Sequence, residues 1–147
     1  TDINLSSTAI LKTNADLNIT GDILGGKLLD INSNVGINAD INNTYQIDIA
    51  NNKTLTLNGN ANIGDGNITI HTNSIITAIG NSDITSNIVG NSGTINIDGN
   101  TTLTGHIVNV DNLNISGNLT HANNYNVESD DTNLTGTLTT SNGTWDG

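Results

Sequence analysis

One phrase recurs through the chain and limits what it can become: apolar, polar, apolar, polar, then glycine and an amide. Leu55-Thr56-Leu57-Asn58-Gly59-Asn60 states it most plainly. It returns as Ile95-Asn96-Ile97-Asp98-Gly99-Asn100 and as Leu113-Asn114-Ile115-Ser116-Gly117-Asn118. Ile76-Thr77-Ala78-Ile79-Gly80-Asn81 keeps it with an apolar fourth residue, and Leu17-Asn18-Ile19-Thr20-Gly21-Asp22 replaces the amide by Asp. Worn copies end at Ala39-Asp40 and at Gly136-Thr137. The phrase is thus marked at positions 21, 39, 59, 80, 99, 117 and 136, a nearly even spacing along the whole chain.

Period-two alternation closed by Gly-Asn predicts a short strand ending in a turn. Such a strand cannot bury its apolar face alone, so successive copies must stack. A spacing of about 19 residues leaves room for about three short strands with turns per coil. The expectation is an all-β, right-handed parallel β-helix, a β-solenoid with coils of about 19 residues, each rising roughly 4.8 Å. Three apolar clusters per coil fit a three-faced prism. The first follows the Gly at Ile63, Ile84 and Leu103, or two residues after it at Ile23, Ile41, Leu119 and Leu138. Both offsets are even, so these side chains point to one face of a strand. Another cluster lies at Ile68-Ile70, Ile88-Val89 and Ile107-Val108. Residues 1–147 read as a single solenoid segment. With no amphipathic helix to cover either end, it is expected to be a piece of a longer one, with open edges prone to end-to-end self-association.

The turns are expected to be structural: Gly59, Gly80, Gly99 and Gly117 supply the backbone freedom, and Asn60, Asn81, Asn100 and Asn118 stack as a side-chain ladder. A polar comb that binds a ligand is the functional alternative. On the ladder reading, Asn81→Leu should destabilise more than Asn34→Leu.

Composition narrows the function. Aromatics make up 2% of the chain, so a compact globule would lack the bulk to fill its centre, whereas a thin solenoid core needs only Ile, Leu and Val. The formal net charge is −11, and Lys12, Lys27 and Lys53 carry all the fixed positive charge. Phosphate neutralisation is out of reach, which argues against nucleic acid as a partner and against contact with anionic membranes. Cysteine is absent, so no disulfide staples the fold.

Residues 121–131 break the rhythm and hold the one dense acid run, Glu128, Asp130 and Asp131, with Tyr125 beside it. They are expected to form a protruding loop, the best candidate for a binding excursion. Adjacent carboxylates on a strand would face opposite ways, and with no Arg nearby a catalytic role is not expected. Calcium is weighed for its oxygen ligands, but Gly64-Asp65-Gly66-Asn67 is an isolated turn without the repeating calcium-binding nonapeptide. His71, His106 and His121 share no metal-ligand spacing and are expected to be exposed or in loops. No metal and no cofactor is expected.

The phrases Lys53-Thr54-Leu55-Thr56-Leu57-Asn58-Gly59-Asn60 and Gly93-Thr94-Ile95-Asn96-Ile97-Asp98-Gly99-Asn100 resemble coils of bacterial autotransporter passenger domains. The Ile/Asn/Thr-rich tone over residues 17–140 is most similar to surface cell antigens of the rickettsial type, with the filamentous-haemagglutinin family second. The resemblance implies a bacterial surface or secreted location reached through an outer-membrane barrel. It also implies a non-catalytic adhesive or stalk role, with a host-cell surface protein or glycan as partner. The alternative is a polysaccharide-acting enzyme, lyase or hydrolase, on the same fold, or its carbohydrate-binding segment.

Overall fold

The computed structural model describes residues 1–42, 44–64, 66–122, 125–140 and 143–146. Among them the regular structure is strand throughout, with no helix. Every strand pairing is parallel, and the coils stack into a β-solenoid of about seven turns. The first face is an eight-stranded sheet: Ile3–Leu5, Ile23–Gly25, Ile41–Asn42, Ala61–Ile63, Asn81–Ile84, Asn100–Leu103, Asn118–His121 and Thr137–Thr140. The second face starts at Ile10–Thr13 and the third at Leu17–Ile19. These two join into a single thirteen-stranded sheet because Ile107–Ile115 runs unbroken around the corner between them.

Alternation sorts the side chains. On the third face Leu55, Ile76, Ile95 and Leu113 stack in register and are buried, as are Leu57, Ala78, Ile97 and Ile115. On the second face Leu29, Ile47, Ile68, Ile88, Ile107 and Val127 form the equivalent column. Each Ile or Leu withdrawn from water contributes about 1.5–3 kcal/mol, so a core one side chain deep suffices when every coil repeats it.

Two offsets after the repeat glycine have a register explanation. Ile3, Ile23, Ile41, Ile63, Ile84 and Leu103 share one inward column, so the extra residues after Gly59 absorb the longer step from Ile41 to Ile63. At the other end the side chains still face inward, as the even offsets require, but in a different column. Leu119 pairs with Thr101 and Leu138 with Leu119, which places both in a second inward column with Ala61 and Ser82. The place next to Leu103 goes to His121, which lies in a strand and is buried at 1% exposure, so the expectation of an exposed or loop histidine is overturned there.

The corner between the second and third faces repeats one backbone conformation. Asn52, Asn73, Ser92 and Asn109 have φ of 59°, 57°, 65° and 55°. Asn enters this left-handed region more readily than most residues because its short side chain bonds locally. Stacking reinforces it: the Asn52 N–H donates to the Thr72 carbonyl at 3.1 Å and the Asn73 N–H to that of Ser92 at 2.9 Å.

Candidate functional site

The glycine column is structural, for a reason other than the expected one. In it only Gly59 has positive φ, at 69°. A Cβ at Gly80 would sit 2.0 Å from the Gly59 carbonyl oxygen, one at Gly99 2.1 Å from that of Gly80, and one at Gly117 2.2 Å from that of Gly99. The coils approach backbone on backbone here, and any side chain would wedge them apart.

The Asn column forms a ladder over three coils. Asn118 Nδ2 donates to Asn100 Oδ1 at 2.6 Å, and Asn100 Nδ2 to Asn81 Oδ1 at 3.0 Å. No bond between Asn60 and Asn81 is found among the described residues. All four amides are exposed on the outer surface of the first face. With Asn62, Asp83, Thr102 and Thr120 beside them they line an open trough of about 710 Å³.

Other ladders went unread in the sequence. Asn114 Nδ2 donates to Asn96 Oδ1 at 2.9 Å on the third face, half-buried. In the early coils aspartates accept backbone N–H groups from the next coil: Asp22 from Asp40 at 3.0 Å, and Asp40 from Asn62 at 3.0 Å. Asp22 and Asp40 therefore stack with Asn62, two residues beyond Asn60, and lie outside the Asn60–Asn118 column. Asn34 is itself a ladder member. Its N–H donates to Asp16 Oδ1 at 2.8 Å, its Nδ2 to Asp16 Oδ2 at 3.2 Å, and its Oδ1 accepts from the Thr54 N–H at 3.1 Å. The Asn34 backbone bond, then its side chain, and more distantly the Lys53 charge hold the Asp16 carboxyl below the usual carboxylate value, against a small opposing effect of burial. The signal was available: Asp16, Asn34 and Thr54 follow one another at the spacing of the repeat itself.

The acid run is not a loop. Glu128, Asp130 and Asp131 lie in the strand Val127–Leu134, which pairs with Ile107–Ile115. Val127 and Ser129 point inward and are buried while Glu128 and Asp130 face solvent, so Val-Glu-Ser-Asp is ordinary strand alternation with acids in the outward places. A register shift between the Ile107 and Val110 pairings fits one extra residue at the Asn109 corner. Asn123 and Asn124, within the segment expected to protrude, lie outside the described residues, as does Asp65 of the turn weighed for calcium. Tyr125 is half-buried between His106 and His121, with ring centroids 5.1 and 6.3 Å away. It therefore packs with the last coils instead of standing beside the acids as a separate binding loop.

Two further clusters emerge only from stacking. On the second face Lys12 Nζ is 3.0 Å from Asp30 Oδ2, Asp30 is in register with Asp48, and His71 Nε2 donates to Asp48 Oδ1 at 2.7 Å. At the last coils His121 Nε2 donates to the Gly105 carbonyl at 3.0 Å, and Trp145 meets its ring edge-on at 5.9 Å. His121 Nδ1 and Trp145 Nε1 are buried without partners among the described residues. The large rings close that end of the aliphatic column. Among the described residues no group of three or more His, Cys, Asp or Glu is placed to hold a metal ion.

Comparison with protein-family models, curated proteins and solved structures finds no match to this chain.

Proposed function

We propose that the chain serves as a rigid, non-catalytic structural and adhesive segment of a bacterial surface-exposed or secreted protein of the autotransporter kind. The observation that carries this reading is the unbroken stacking of parallel coils. Coil-to-coil hydrogen bonds tie each strand to its neighbours along the axis, which stiffens the rod, while the same outward positions recur at each coil height. A rod of this kind holds identical polar groups in columns without needing a concave pocket. Glu128 and Asp130 are outward strand residues, and on the second face Asp30 pairs with Lys12 while Asp48 accepts a hydrogen bond from His71. That arrangement supports a solvated structural surface over the polysaccharide-cleaving alternative.

The test is direct binding of the fluorescently labelled chain to cultured host cells, with an unrelated acidic β-solenoid of similar charge as the reference. Saturable binding, competed by unlabelled chain and retained at physiological salt, is expected. Binding no greater than the reference would remove the adhesive part and leave a spacer. Release of reducing ends or unsaturated sugars from a polysaccharide panel would replace the reading with the enzymatic one.

A further inference from the structure

The trough on the first face has a composition that selects for one kind of ligand. Its two outward columns run along the coil axis, Asn81-Asn100-Asn118 and Asp83-Thr102-Thr120, with members in register from coil to coil. Each amide in the ladder uses one donor or one acceptor on each neighbour, and an Asn side chain offers two of each. Donors and acceptors are therefore left over at every step. Thr102, Thr120 and Asp83 have no side-chain partner among the described residues, which adds a hydroxyl or carboxylate at each step.

Three absences in this trough define the ligand further. None of its lining residues is Lys or His, so an anion would meet no countercharge and would face Asp83 in a chain of net charge −11. None is aromatic, so a flat base or steroid-like ring would find no platform. None is a large apolar residue, so a hydrophobic peptide face would find nothing to bury against. What fits is a neutral, extended molecule with mixed donors and acceptors at a regular repeat. The coils offer such groups at steps of roughly 4.8 Å along the axis, the inter-strand spacing.

We infer that the first face binds a neutral linear polysaccharide laid along the coil axis, its hydroxyls meeting the Asn81-Asn100-Asn118 and Asp83-Thr102-Thr120 columns. This names a ligand class for the adhesive surface and rests on that reading. Because neighbouring coils repeat the contacts, longer oligomers gain from each further sugar until the trough is filled.

Cellohexaose and chitohexaose are the neutral probes and hexagalacturonate the anionic one, each titrated into the isotope-labelled full chain and followed by NMR. With at least one neutral hexamer, the side-chain amide signals of Asn81, Asn100 and Asn118 should shift saturably. The dissociation constant should be at least threefold lower than for the matching disaccharide, which is shorter than the three-coil columns, and at least tenfold lower than for hexagalacturonate. The double variant N100A/T102A should lose at least tenfold in affinity, while T94A on the third face should change it less than twofold; circular dichroism melts check that both remain folded. Shifts confined to another face, hexagalacturonate binding as well as the neutral hexamers, or no shift with either neutral hexamer would each overturn the inference. Host-cell binding separates the two readings. Cell binding without any glycan shift sinks the glycan site and leaves the adhesive role standing. Glycan shifts without cell binding do the reverse.

Discussion

Replacing Gly99 by Ala isolates what holds the coils at their spacing. Its φ lies outside the left-handed region, so by chain entropy alone the substitution should stabilise by about 0.4–1 kcal/mol. The added Cβ, however, would stand 2.1 Å from the Gly80 oxygen and 2.3 Å from the Ile79 oxygen. Both are backbone atoms, so no rotamer change relieves the clash. Reaching an ordinary carbon–oxygen contact of about 3.3 Å requires the coils to part by roughly 1 Å at this corner. The bonds that span it are those of the Asp98 and Gly99 N–H groups to the Ala78 carbonyl, at 2.8 and 2.9 Å. Stretched by that amount, one or two are lost, at about 1–3 kcal/mol each where water cannot replace them. The corner is partly exposed, so a net loss of about 2–4 kcal/mol is expected. Two other glycines calibrate the effect. At Gly64 the nearest atoms to a Cβ are 3.5 and 3.7 Å away, so G64A should fall within about 0.5 kcal/mol of the parent. At Gly59 the clash is with the Asn38 side chain, which can rotate, and the left-handed φ costs about 1–2 kcal/mol. Urea titrations followed by circular dichroism should rank G99A well below G59A, and G59A below G64A. Amide exchange should place the loss at Asp98 and Gly99. If G99A and G64A are equally stable, to within about 0.5 kcal/mol, backbone close approach is not what selects glycine in this column.

Three more outcomes follow from the ladders and the core. Asn34→Leu should destabilise by about 1–2 kcal/mol and Asn81→Leu by about half as much or less, because Asn34 bonds both neighbouring coils whereas Asn81 accepts one exposed bond; urea midpoints in the opposite order would contradict this, and the ranking reverses the one expected from the repeat alone. Thr101→Val removes a buried hydroxyl that has no partner among the described residues, at nearly constant volume, so it should stabilise by about 1 kcal/mol, and a loss instead would mean the hydroxyl is bonded in solution. Asp16 is held below its usual value in the folded chain, so the stability it contributes is present above that usual value of 3.8 and is lost as pH falls through its lowered folded value. The gap in urea midpoint between the parent and Asp16→Asn should therefore be larger at pH 6 than at pH 2, and a gap independent of pH would refute the linkage.

Repetition in the sequence determined the architecture because alternation and spacing are local properties. Leu55-Thr56-Leu57 decides which side chains face inward within its own coil, and the even spacing of the copies leaves stacking as the way to bury them all. Which residue of one coil lies over which residue of the next is set by the turns between them, and turn length is not written in the alternation. Two additional residues after Gly59 keep Ile63 above Ile41 and move Asp22 and Asp40 out of the Asn column. Register alone puts His121 beneath Leu103 in the core and Asn34 between Asp16 and Thr54. The acids of Val127–Leu134 looked like a loop because their charge outweighed the alternation that Val127 and Ser129 keep. Only pairing with Ile107–Ile115 turned them into the outer side of a strand. Alternation settles which side of each strand faces solvent, because a one-residue slip would bury its polar set, while tertiary stacking settles which outward groups lie over one another from coil to coil.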